Sequence, residues 1–224
     1  MAHKRVLLPA EFAQGERLTS DLVGIGVRLA SRAPNKEPNI EDTLVAASIE
    51  GLALEDYRVL ALLVDWMGIH SDRVNVDRLT KMIQLVQGPR LTAFWAAIAQ
   101  WRRQDWRFRK LQAIYNGHRV DLSTEGGDFQ IKRYGEDVRF ADTVLRVPEK
   151  LLRQRPQDIL CPAALAKQHK AYAARIAIGP SYRADMWALM ARQPDLAAAE
   201  IARQTYGSFP TAWEAKRDWA LLHA

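Results

Sequence analysis

Apolar residues recur along this chain with a helical period. Between residues 40 and 115 the pattern is nearly continuous. Leu60, Leu63, Val64 and Met67 share one face, as do Leu91, Phe94, Trp95, Ile98 and Trp101. Gly51, Gly68, Gly88-Pro89 and Gly117 punctuate the run, since glycine and proline end or interrupt helices. The spacing predicts helices at 40–51, 54–67, 76–87, 90–103 and 105–115, which together make a helical bundle. Asn39 supplies an N-cap, and Glu41 and Asp42 follow in the first turn, where the helix dipole favours acids. Upstream, Leu18 to Ala30 has helical spacing, and Pro34-Asn-Lys-Glu-Pro38 then breaks the chain as a loop or linker.

The texture changes after Gly117. His118 to Leu122 and Phe129 to Tyr134 alternate as strands do, around a turn-rich Ser123–Asp128, so a β-hairpin is expected. Thr143 to Val147 is a third candidate strand. A short helix is expected from Pro148 and a longer one from Pro162 to Ile176, broken at Gly179-Pro180. Three more helices follow at 181–192, 197–205 and 209–222. The expected protein is mainly α. A helical bundle domain fills 1–116, and a small β-hairpin and α region fills 117–224.

Composition narrows the function classes. Hydrophobic residues make up 48% and charged residues 26%, which argues for a packed globular chain over a disordered one. No apolar run is long enough to cross a bilayer, and the N-terminus lacks a signal peptide's apolar core, so a cytoplasmic protein is expected. Frequent Ala and Arg fit a bacterial genome rich in G and C. Cys161 is the single cysteine, which excludes an internal disulfide, and a buried structural role is expected for it. His3, His70, His118, His169 and His223 form no ligand-spaced pair. Asp65 and His70 flank a helix end, as a surface pair or cap. The formal charge of +6 favours a polyanionic partner.

The last thirty or so residues carry the clearest motif. Glu200 to Trp219 reads as helix, tight turn, helix, with Gly207 in the turn and Ala202, Ala212, Ala215 and Trp219 facing inward. Small residues are needed where two helices cross closely. Ser208, Phe209, Thr211, Trp213, Glu214, Lys216 and Arg217 face outward, with Arg203 nearby. Serine and threonine at such a helix start can donate to a phosphate or base edge. Arg217 suits guanine, and Lys216 suits a phosphate.

From Ala202 to Trp219, with Tyr182–Arg192 as the supporting helix, the chain resembles the simple or winged helix-turn-helix family of bacterial transcription regulators and antitoxins. The resemblance covers about a fifth of the chain. It departs from the family at one place: Gly207 falls one position later than the usual turn glycine, where Tyr206 stands. The resemblance implies binding of double-stranded DNA, with the final helix as the reading element. It also makes a homodimer attractive, formed through the N-terminal helical domain, because one motif reads only a few base pairs. That domain is equally a place for a protein partner.

Other stretches carry weaker signals. Arg102-Arg-Gln-Asp-Trp-Arg-Phe-Arg-Lys110 interleaves Arg102, Arg103, Arg107, Arg109 and Lys110 with Trp106 and Phe108, and Arg90 and Arg119 flank it. It reads either as a phosphate-tracking surface with an aromatic able to stack on a base, or as a solvated helix face. Asp121, Gln130 and Lys132 loosely imitate the acid, Gln and Lys of metal-dependent nucleases. A structural sheet or wing, with Lys132 and Arg133 near the DNA backbone, is favoured over that reading. Gly24-Ile-Gly26 lacks the strand and βαβ unit of a dinucleotide site. The expected function is therefore sequence-specific DNA binding by a transcription regulator or antitoxin-like repressor, not an enzyme, with no cofactor and no metal. The alternative is a protein-interaction adaptor of a defence or toxin–antitoxin system. A metal-dependent nuclease comes third.

Overall fold

The structure, a computed structural model, describes residues 5–29 and 37–223. His3, Ala30 and the start of the proline-flanked break at Pro34 lie outside the described residues. The protein is mainly helical, with 61% of residues in helix, and twelve α-helices and two short strands among the described residues. No described helix is long and apolar enough to cross a membrane.

Helices α1 (Gly15–Gly24), α2 (Ile40–Ala53), α3 (Tyr57–His70), α4 (Val76–Val86) and α5 (Pro89–Trp101) build the body. Their starts follow from local chemistry. The Oδ1 atoms of Asn39, Asp56 and Asn75 accept from the backbone N–H groups of Asp42, Val59 and Arg78 at 3.1, 3.1 and 3.2 Å. Each satisfies an N–H that helix geometry leaves unpaired. Buried side chains ring α2, including Ile40, Leu44, Val45 and Ala47, so it is the central helix. Small residues let α3 approach it. A Cβ on Gly51 would stand 2.9 Å from Leu60 Cδ2. Trp66 and Trp95 are fully buried, and their indole N–H groups donate to Ile25 O at 2.8 Å and Ser48 Oγ at 3.0 Å. Truncating such a satisfied, enclosed tryptophan costs about 3–5 kcal/mol.

Packing does not divide at residue 116. One apolar core runs from Ala13 to Tyr172 and takes in Phe140, Leu145, Val147, Leu152 and Leu165. A second cluster starts only at Met186 and ends at Ala215.

The middle of the chain departs from the expected hairpin. Strand β1 (Val120–Asp121) pairs in parallel with β2 (Leu145–Arg146), Val120 opposite Leu145. Phe129 to Tyr134 is not a strand but part of helix α7 (Gly127–Tyr134), entered through Gly126 at φ 69. The alternation misled because it marks no buried face: Phe129 is 66% exposed and Tyr134 45% exposed. There is accordingly no wing. Lys132 and Arg133 ride the exposed surface of α7.

The 105–115 segment is also shorter than expected, a 3-10 turn over Trp106–Phe108 followed by α6 (Arg109–Gln112). Residues after Pro148 form turns. The expected helix from Pro162 splits into α8 (Pro162–Gln168) and α9 (Lys170–Ile178), because His169 leaves helical geometry and caps α9, its Nδ1 accepting from Tyr172 N at 3.1 Å. Cys161 is exposed, not buried, since it precedes the first turn of α8 and Leu165 is the inward residue there.

His70 and Asp65 are core residues rather than a surface pair. His70 Nε2 donates to Leu160 O at 3.0 Å, which leaves Nδ1 to accept from the Tyr172 hydroxyl at 2.7 Å. Burial pushes the imidazole pKa down to about 4, so the ring is neutral at physiological pH. Asp65 accepts from the Arg155 backbone N–H and pairs with Arg139.

Candidate nucleic-acid interface

Three helices close the chain: α10 (Tyr182–Met190), α11 (Ala198–Gln204) and α12 (Phe209–Leu222). They enclose Met186, Leu189, Met190, Ile201, Ala202, Ala212 and Ala215, so alanines and methionines fill the centre. Trp219 faces inward as its position predicts, meeting Trp187 edge-on at 5.2 Å.

The turn between α11 and α12 accounts for the displaced glycine. Tyr206 holds φ 58, the left-handed conformation that usually selects glycine. Gly207 meets a different demand, close approach: a Cβ there would lie 2.0 Å from Met186 Cε. Two adjacent residues thus divide the two demands of the turn, left-handed backbone and close approach.

A tyrosine in left-handed geometry is strained by about 1 kcal/mol or more and needs surrounding contacts to hold it. Three contacts with distant parts of the chain do so. Its hydroxyl donates to Asp42 Oδ2 at 2.8 Å, the Arg78 guanidinium covers its ring at 4.0 Å, and its carbonyl accepts from Arg5 Nε at 2.8 Å. Burial and the neighbouring Asp42 raise the phenol's pKa, which keeps the donor proton in place.

The outward residues of α12 divide into two groups. Ser208 caps the helix, its Oγ accepting from Thr211 N at 3.3 Å and lying 2.7 Å from Thr211 Oγ1. Lys216 donates to Leu196 O at 2.6 Å, which ties it to the module. Phe209 (42% exposed), Trp213 (53%), Glu214 and Arg217 face solvent, with the Arg217 guanidinium beside Asp218 and 5.6 Å from the Trp213 ring. Arg203 pairs along its own helix, Nε to Glu200 Oε2 at 2.9 Å. Over residues 181–223 five basic and five acidic side chains cancel, so the chain's positive charge resides elsewhere.

Much of that charge sits at 102–110, where the structure separates the residues by role. Phe108 is buried and Arg107 turns inward, donating to the Asp105 carboxylate and to the Ser71 and Asp72 carbonyls, both at 3.2 Å. Arg102 lies against the Trp101 ring at 5.5 Å. Arg103, Arg109 and Lys110 are exposed, Arg103 lying 3.9 Å from Asp142 and Lys110 3.8 Å from Asp77. The flanking Arg90 and Arg119 bind backbone carbonyls, Leu122 O and Thr143 O, each at 2.8 Å.

Trp106 is 77% exposed on the rim of a groove of about 440 Å³. Val74 to Asp77 at the start of α4 and Pro180 also line it.

The acid, Gln and Lys of the nuclease reading are not brought into that arrangement. Asp121 pairs with Arg146 at 3.1 Å, and Gln130 and Lys132 lie on a helix rather than a strand. Among the described residues no group of three or more His, Cys, Asp and Glu side chains could hold a metal ion.

Sequence reasoning missed a buried ionic network beneath the turn. Arg175 Nη1 and Nη2 donate to the two Glu41 carboxylate oxygens at 2.7 and 2.8 Å, while Nε and Nη2 reach Asp185 at 2.8 Å each. Arg78 adds Asp42 at 2.6 Å and Asn39 at 2.8 Å. Burial opposes the Glu41 charge, but Arg175, with Arg78 behind it, prevails and holds the carboxyl below its ordinary range. At Asp185 burial outweighs the same arginine and moves the pKa up. The network joins α2, α4, α9 and α10, and through Asp42 it reaches Tyr206. Buried charge of this kind is costly unless it is paired. An acid beginning a helix and an arginine far along the chain were its only sequence traces.

No protein-family model matches this chain, and comparisons with curated proteins and with solved structures find no significant match.

Proposed function

We propose that the protein binds double-stranded DNA as a transcription regulator or antitoxin-like repressor, reading it with the start of α12. One observation carries the proposal. The α11–α12 turn combines a left-handed Tyr206, a close-packed Gly207 and inward Ala202, Ala212 and Ala215, which supports a helix-turn-helix reading because that motif needs a tight turn and small residues between its helices. That motif offers the first residues of its last helix to base edges in the major groove. Here those residues are Ser208, Phe209 and Thr211, with Trp213 and Arg217 one and two turns further on.

A neutral module implies that phosphate attraction comes from outside it, with Arg102, Arg103, Arg109 and Lys110 as its source. Binding should then be salt-sensitive, with about 0.9 in logarithmic slope for each of these four side chains that meets a phosphate. A pair of chains joined through the body would read two half-sites.

The test is binding of labelled random-sequence duplex across a salt series, for the wild type and a Phe209→Ala/Arg217→Glu variant. Salt-sensitive binding that the variant loses, at unchanged thermal stability, is expected. Absence of binding at low salt, or equal binding by both proteins, would overturn the proposal.

A specific observation favours a second reading, a protein-interaction adaptor. Phe209, Trp213, Leu221 and Leu222 leave α12 with exposed apolar surface. Competition by duplex DNA against a captured protein partner separates the two readings.

A further inference from the structure

The groove beside Trp106 lies apart from α12 but shares Arg109 and Lys110 with the phosphate contacts proposed above. An indole left 77% exposed gives up the burial that normally stabilises tryptophan. This one is not on a loose loop. Its 3-10 turn is capped by Asp105, whose Oδ1 accepts from Arg107 N at 3.0 Å. It is pinned by buried Phe108 and by the Arg107 bonds to the Ser71 and Asp72 carbonyls. The ring is thus presented on a rigid support.

Asn75 is a buried residue of the lining. Its Oδ1 caps α4, but its Nδ2 donor has no hydrogen-bond partner among the described residues. Asp77, also in the lining, offers an acceptor, and Arg109 and Lys110 give the groove a positive edge. Its volume of about 440 Å³ falls within the range of small-molecule sites.

We propose that this groove binds a nucleotide, its base stacked on Trp106 and its phosphate held by Arg109 and Lys110. The chemistry is an aromatic base linked to an anion, which both a free mononucleotide and a nucleotide of a single strand supply. Stacking on an aromatic platform beside cations tolerates any base.

The experiment uses the full chain and two probes: fluorescein-labelled oligo(dT) by anisotropy, and AMP and GMP by calorimetry. Trp106→Ala should weaken whichever probe binds by roughly ten-fold or more, and Trp106→Phe should restore most of the loss. Arg109→Glu/Lys110→Glu should abolish binding of that probe at moderate salt. Binding of oligo(dT) alone identifies a single strand as the source, and binding of AMP or GMP identifies the free nucleotide. If neither probe binds at low salt, or if Trp106→Ala binds as the wild type does, the proposal is overturned. Oligo(dT) binding that persists in a protein with no duplex affinity would support this site while refuting the α12 reading.

Discussion

The helical body and the three-helix module at its end are packed by opposite rules. In the body large aromatics fill the centre: Trp66, Trp95, Phe94, Phe108 and Phe140 are all fully buried. In the module alanines and Gly207 are inside, while Phe209 and Trp213 are exposed on α12. A body built from tryptophans gains its stability from apolar area. A module built from alanines gains close helix crossing instead and buries less. It relies on charge at its junction with the body, where Arg175 bridges Glu41 of α2 and Asp185 of α10. The difference teaches that polar bonds to the body, more than apolar area, set the position of the module.

The sharpest way to break that junction is Arg175→Met. It leaves Asp185 without its ion-pair partner and Glu41 with Arg78 alone at 3.7 Å, and such breaks cost about 3–5 kcal/mol. Urea denaturation should register that loss, and a loss under about 1 kcal/mol would show that the network contributes little.

Acid tests the body. His70 has a folded pKa of about 4, below its unfolded value, so its contribution is complete above the unfolded pKa near 6.5 and is lost as pH falls toward 4. The integrated loss is about 3 kcal/mol. Thermal melts should show it in the wild type, and a His70→Gln variant should be flatter over the same window.

Gly207→Ala comes next, at about 1–3 kcal/mol. The new methyl must displace the buried end of Met186, and overpacking of that size is typical. Tyr206→Phe is expected to cost about 1.5 kcal/mol or somewhat more, for the bond to the Asp42 carboxylate. If Gly207→Ala unfolds α10–α12 while the body stays intact, the two regions are separable units.

The legible parts of the sequence were those set by local rules. The period of Leu60, Leu63, Val64 and Met67 marks the buried face of α3, and Asn39 caps α2 as its position predicts. The small residues of the turn were legible too, because close helix contact demands them wherever they fall. What could not be read depends on distance or on weak periodicity. Glu41 and Arg175 are 134 residues apart, and nothing local pairs them. Phe129 to Tyr134 fits a strand and a short helix equally until burial is known. In the 102–110 run, the sequence gives no means of telling inward Arg107 from outward Arg109. The turn's left-handed residue was hidden as well, since a tyrosine occupies it and only contacts with Asp42, Arg78 and Arg5 make that tolerable.

The most direct test of the α12 reading is hydrogen exchange of the backbone amides with and without duplex DNA. The account predicts new protection at the start of α12, over Phe209 to Trp213. Protection confined to the 102–110 surface, or none anywhere in the chain, would contradict it.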